Sequence, residues 1–198
     1  MRERPILFSG PMVRAILDGK KKQTRRLVKF PTEWTAPCAG CGCCHGNPYS
    51  GKTLSSWTRC KCVRPSAVAC PYGQPGDRLW VRETFAACRH GAKHPDCIEF
   101  KADGDPEGLK WKPSIHMPRW ASRLTLAVEA VRVERLQDIT EEDARAEGVD
   151  RQLVFAQDTV RSTHHDGFMV AWQSINGARA SWSSNPFVWV ISFRRVSR

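Results

Sequence analysis

The run from Leu124 to Leu136, which carries the stretch TLAVEAVRVERL, alternates apolar and polar residues along its whole length and so specifies a long β-strand. A helix of this composition would scatter its apolar residues around the axis. A strand this long is expected to bend or bulge midway and to cross the centre of a sheet. Shorter strands are expected at 6–8, 24–29, 98–101 and 188–196. Another is expected in RLWVRETF, with Leu79 and Val81 on one face and Trp80, Arg82 and Thr84 on the other. A first helix carries Val13, Ile16 and Leu17 at helical spacing and stops at Asp18-Gly19. A second starts at Thr140 as N-cap, with Asp143 in the third position of a capping box, and stops at Gly148. A third covers about 166–175, with Phe168, Met169 and Trp172 facing the core. Strands outnumber helices and do not alternate with them, which predicts an α+β chain built on a small, mostly antiparallel β-barrel with flanking helices.

Between 30 and 75 the texture changes. Cys, Gly, Pro, Ser and Thr dominate and aliphatic periodicity disappears, so this segment reads as an insertion within a single domain spanning 1–198. The chain has nine cysteines. Cys38-x-x-Cys41 and Cys60-x-Cys62 form two knuckle-like groups suited to one tetrahedral structural zinc, with Cys43 or Cys44 able to replace any of the four. A metal would supply the order that this segment cannot gain from apolar burial. The alternative is a disordered loop of reduced thiols. Cys88 and Cys97, with His90 and His94, make a weaker second grouping. Four thiolates close a coordination shell, so zinc here would not be catalytic.

Lys and Arg number 31 against 20 Asp and Glu, a net charge of +11, which favours polyanionic partners such as RNA or a nucleotide. No window resembles a membrane span or the apolar core of a signal peptide, so the expected location is the cytoplasm. The densest basic run follows the first helix: Lys20, Lys21, Lys22, Arg25 and Arg26 crowd around Thr24. Such crowding costs self-repulsion unless an anion or a nucleic acid offsets it. The plain reading is a solvated basic loop that ends a helix.

Taken with PMVRAILDGKKKQTRR, the segments GDRLWVRE, WKPSIHMPRWASR, LQDITEEDARAEG and VWVISFRRV resemble the ASCH family, above all its phage-borne members of similar length. That resemblance implies a PUA-like barrel, covers roughly 1–30 and 70–198, and would place a phage-encoded protein in the host cytoplasm. One branch of the family removes the acyl group from N(4)-acetylcytidine with a Lys, a Thr and a Glu. Its motif, ILxGxKxxTxR, is matched by Ile16, Leu17, Gly19, Lys21, Thr24 and Arg26, and the family's Glu aligns with Glu147. Lys22 departs from the family pattern, which has a small hydroxyl residue there.

The chemistry is coherent. A threonine hydroxyl becomes a nucleophile when a base takes its proton, and a lysine among cations and partly desolvated has its pKa lowered towards neutrality. Lys21 would then activate Thr24, and Glu147 would shuttle a proton to the leaving amine or position water. Alternatively, Glu147 activates water while Lys21 polarises the carbonyl and Thr24 orients both. No cofactor is required in either scheme. Arg26, Trp80, Arg82, Glu83, Trp111, His116, Arg119 and Trp120 are candidates for base stacking and substrate contact, against the plain reading that the tryptophans are core. The rival functions are a non-catalytic RNA-binding module and an RNA nuclease using His116 or Glu83 as base. Oligomeric state is open.

Overall fold

The alternating run forms the central strand of the fold. The computed structural model describes residues 1–29, 69–87, 98–156 and 159–196. The strands are β1 (Glu3–Leu7), β2 (Gln23–Leu27), β3 (Arg78–Arg82), β4 (Phe85–Ala87), β5 (Ile98–Phe100), β6 (Thr125–Arg135), β7 (Gln152–Ala156), β8 (Thr159–Thr163) and β9 (Phe187–Val196). The helices are α1 (Gly10–Leu17), α2 (Glu141–Ala146) and α3 (His164–Asn176). Five strands make one sheet in the order β1-β3-β6-β9-β2, with the expected bulge in β6 between Val128 and Ala130.

The sheet is mixed, not simply antiparallel. β1 pairs with β3 in parallel, Glu3 opposite Arg78 and Leu7 opposite Arg82, while the other pairs in this sheet are antiparallel. Period-two alternation carries no strand direction, so this pairing was invisible along the chain. The ladder among the described residues is open, with β1 and β2 at its edges. A side chain bridges those edges: Arg26 of β2 donates to the Leu7 carbonyl of β1 at 2.6 Å. RLWVRETF also breaks in two, because β3 ends at Arg82 and Phe85–Ala87 turns away to pair with β5 in a separate sheet. The hairpin of β7 and β8 had no strong signal in the sequence.

Two apolar layers flank the main sheet. One face carries Leu79, Val81, Leu126, Val128, Ile191 and Phe193, packed with Ile6, Phe8, Val13 and Ile16. The other carries Val188 and Val190 under Leu136, Ile139, Ala144, Phe168 and Trp172, so α2 and α3 cover that half of the sheet. Burial of each such large side chain contributes about 1.5–3 kcal/mol, which is what holds two short helices on a sheet. α1 has Pro11 in its first turn and ends on Gly19 at φ +71°.

α2 begins as expected at Thr140, whose hydroxyl accepts from the Asp143 amide at 3.2 Å. The rest of the capping box is missing, because the Asp143 carboxylate turns instead to Arg25 and Arg132. α2 and α3 are joined by Glu141, whose carboxylate accepts from the backbone amides of His164 and His165, both at 2.9 Å, and meets the His164 Nδ1 at 2.9 Å. Those donors hold the Glu141 carboxyl down at about 2. Its contribution to stability is therefore complete above pH ~4.5 and lost as pH falls through ~2. Melting curves of the native chain and Glu141→Gln should differ by a constant amount above pH ~4.5 and converge towards pH ~2. A gap that stays the same down to pH ~2 would show that the joint is not ionic.

Candidate active site

The basic run is sorted by folding into two populations. Lys20 and Lys22 point to solvent, whereas Lys21 and Arg25 are buried and Arg26 is half-buried. The backbone explains the sorting. The Lys20 and Lys21 amides both donate to the Ala15 carbonyl, closing the end of α1, and the Lys22 amide donates to the Ala146 carbonyl at the end of α2. The turn is thereby clamped between two helix ends with its middle lysine directed inward.

Lys21 meets Glu147 there. Its Nζ donates to the Glu147 Oε2 at 2.7 Å and to the Glu147 backbone carbonyl at 2.8 Å, with 0 % and 4 % of the two side chains exposed. Glu147 occupies the C-cap of α2, and Gly148 follows at φ +72°. A Cβ on Gly148 would lie 2.7 Å from the Lys21 Cβ and 2.9 Å from the Ala15 Cβ, so this glycine is what lets the end of α2 approach Lys21. The Phe8 ring completes the surroundings, 5.7 Å from the Lys21 ammonium and 5.2 Å from the Arg26 guanidinium.

Arg25 supplies the second cation on Glu147, at 3.2 Å from Oε1. It also holds Gln23 at 2.9 Å, Glu134 at 2.5 Å and Asp143 at 2.8 Å, and lies 5.7 Å from the Phe168 ring. Arg132 closes the outer side on Glu134 and Asp143. Lys21, Arg25 and Arg132 thus balance Glu134, Asp143 and Glu147. The anion expected to offset the basic run includes three of the protein's own carboxylates.

Burial pushes the Lys21 ammonium below the ordinary lysine value; Glu147 opposes this, and Arg26 and Arg25 reinforce it. The direction agrees with the sequence expectation, but the leading cause is desolvation. Lys20 and Lys22 stand outside the cluster.

Thr24 is buried in β2 opposite Ile191, on the face of the first apolar layer, whereas Arg25 lies opposite Val190 on the face beneath α2 and α3. Phe8 connects the two groups, since it belongs to the layer that Thr24 faces and also meets Lys21.

The remaining candidates divide by face. Trp80 and Arg82 alternate with the core residues Leu79 and Val81, so they project from the opposite face of β3. The Trp80 ring there lies 5.4 Å from the Arg82 guanidinium and 5.9 Å from that of Arg119, which is paired with Glu3 at 2.9 Å. Arg82 donates to the Ile115 carbonyl. Trp120 and His116 are exposed nearby in sequence, on the short turns Arg119–Ala121 and Ser114–His116. Trp111 donates to Asp105 at 2.6 Å under Lys101. Glu83 is buried and held by two bonds from Arg123, at 2.9 and 3.0 Å, with Asp103 on the same guanidinium. Burial raises its carboxyl and Arg123 opposes the rise. None of these residues is a hydrogen-bond partner of Lys21, Thr24 or Glu147 among the described residues.

Cys38, Cys41, Cys60 and Cys62 lie outside the described residues, as do Cys88, His90, His94 and Cys97. Among the described residues no group of His, Cys, Asp and Glu is arranged to hold a metal, and no helix is long and apolar enough to cross a membrane. Sequence reading missed Arg25, Glu134 and Asp143 as a unit. Glu134 read as the polar half of an alternation and Asp143 as a cap, and each local role hid a partner more than a hundred residues away.

Fold and site together define an α+β domain with a buried, charge-balanced ion network at one end of β2. Comparison with known proteins found no matching family model, no similar curated protein and no similar solved structure.

Proposed function

We propose that the chain is an ASCH-type domain, its sheet the PUA-like barrel of that family, and that it hydrolyses the amide of N(4)-acylated cytidine. The observation that supports the reading is the buried pair of Lys21 and Glu147, 2.7 Å apart, formed by two of the three residues in the Lys, Thr and Glu set that the resemblance implies. In the reactive form of the pair Lys21 passes its proton to Glu147. With the proton on Glu147, neutral Lys21 takes the Thr24 hydroxyl proton as Oγ1 attacks the acyl carbon. Glu147 then protonates N4 as the carbon–nitrogen bond breaks, releasing cytidine and leaving an acyl ester on Thr24. Water attacks that ester and gives its proton to Glu147, while Lys21 returns a proton to the Thr24 oxygen as the acid departs. The pair is back in its starting state.

The test is to incubate the purified chain with N(4)-acetylcytidine and follow cytidine by chromatography. Cytidine and acetate should appear together. Thr24→Val should lower the rate by at least about 10²-fold, whereas Thr24→Ser, which keeps a hydroxyl, should retain much more. A folded native chain that releases nothing would end this reading and turn attention to RNA binding. One structural zinc on Cys38, Cys41, Cys60 and Cys62 belongs to the same proposal and rests on their spacing alone. One zinc per chain by atomic absorption is the expected content.

A further inference from the structure

We infer that Arg25 is a positioning residue for this site, holding one oxygen of Glu147 so that the other faces Lys21. The inference rests on the amidohydrolase reading for its kinetic part only. The motif gives Arg25 no role, since the positions it matches within the basic run are Lys21, Thr24 and Arg26.

Glu147 is divided between two cations. Oε2 goes to Lys21 at 2.7 Å and Oε1 to the Arg25 Nη1 at 3.2 Å, so its carboxylate plane is held by two bonds in addition to its own backbone. Arg25 is itself immobilised. Its side chain is 0 % exposed, Glu134 meets both Nε and Nη2, Asp143 meets Nη2 and Gln23 meets Nη1. Planar guanidinium can span these groups, and an ammonium cannot. The charged groups facing the cluster are Lys21 just before β2, Arg26 on β2, Glu134 and Arg132 on β6, and Asp143 and Glu147 at α2. Arg25 therefore anchors the end of α2 to β2 and β6 and transmits that rigidity to the proton-carrying carboxylate. Its charge also helps to push Lys21 below the ordinary lysine value.

The experiment compares native chain, Arg25→Lys, the double variant Glu134→Gln/Asp143→Asn, and that double variant with Arg25→Met added, so that the last comparison removes the guanidinium from a background in which its other carboxylates are already neutral and Arg132 is unchanged. Two readouts are taken on folded protein: kcat and KM for N(4)-acetylcytidine against pH, and the pKa of Lys21 from NMR of labelled lysine. Relative to the Glu134→Gln/Asp143→Asn reference, the triple variant should show Lys21 titrating higher and the acid limb of the pH profile moving up with it, and kcat should fall roughly ten- to hundred-fold with KM little changed. Arg25→Lys should return the acid limb towards native while kcat stays low, because charge is restored and the fork is not. Glu134→Gln/Asp143→Asn alone is the reference for the two added substitutions. A triple variant with the same Lys21 pKa and the same kcat as that reference would overturn the inference. If the native chain does not deacylate the substrate, the function reading fails separately. The NMR arm then decides: an upward shift of Lys21 supports the role of Arg25 at the pair, and no shift removes it.

Discussion

Glu147→Ala is expected to destabilise the protein by about 3–5 kcal/mol and to abolish deacylation, whereas replacing Lys21 and Glu147 together with methionines should recover most of the stability and none of the activity. The single change leaves the Lys21 ammonium buried, with only the backbone carbonyl of residue 147 as partner at 2.8 Å, and takes one carboxylate from Arg25. The double change removes the stranded charge, fills the space with apolar volume, and leaves Arg25 on Glu134 and Asp143. Urea denaturation of the native chain, Lys21→Met, Glu147→Met and the double methionine variant gives the coupling energy of the pair. Cytidine release from the same samples separates chemistry from folding. A double variant as unstable as Glu147→Ala would mean that the cost lies in Arg25 or in the cap of α2. A Glu147→Ala variant that still deacylates would remove Glu147 from the mechanism.

The second large effect is expected at Gly148. Alanine there meets a left-handed backbone at φ +72° and places its Cβ 2.7 Å from that of Lys21 and 3.1 Å from the Lys21 Cα. The conformational cost is about 1–2 kcal/mol and the forced separation of packed groups adds roughly 1–3. Gly19 provides the control, because its φ of +71° is nearly the same and nothing lies within 4 Å of its Cβ position. Thermal melts should therefore show Gly148→Ala falling well below Gly19→Ala, by roughly 2–12 °C, the difference being the clash alone. Activity should separate them further, since the clash displaces Lys21 from Glu147. Equal melting points would show that the end of α2 moves away from Lys21 at little cost.

Much of the fold was legible because its signals are short-range. Alternation along 125–135 marks β6 as a central strand and anticipates its bulge, and Thr140 and Gly148 bound α2 from their side chains and backbone freedom alone. Val13 and Ile16 give α1 its buried face in the same way. Pairing partners were not legible. β1 finds β3 in parallel across a long intervening segment, and nothing in the pattern of either strand states its direction.

At the site, residue types and their order identified Lys21, Thr24 and Glu147 as a set on the strength of a resemblance, and the fold joins Lys21 to Glu147 across a separation of 126 residues. The sequence alone determined the strands β2, β6 and β9, the ends of α1 and α2, the excess of positive charge and the turn that carries the basic run. Only the tertiary structure decided which cations of that run are inside, which carboxylates neutralise them, and that Trp80, Arg82 and Arg119 stand on the other face of the sheet. The division follows from range. Propensity, capping and alternation act over a few neighbouring residues, while desolvation and ion pairing depend on whatever the packed chain brings within about 4 Å.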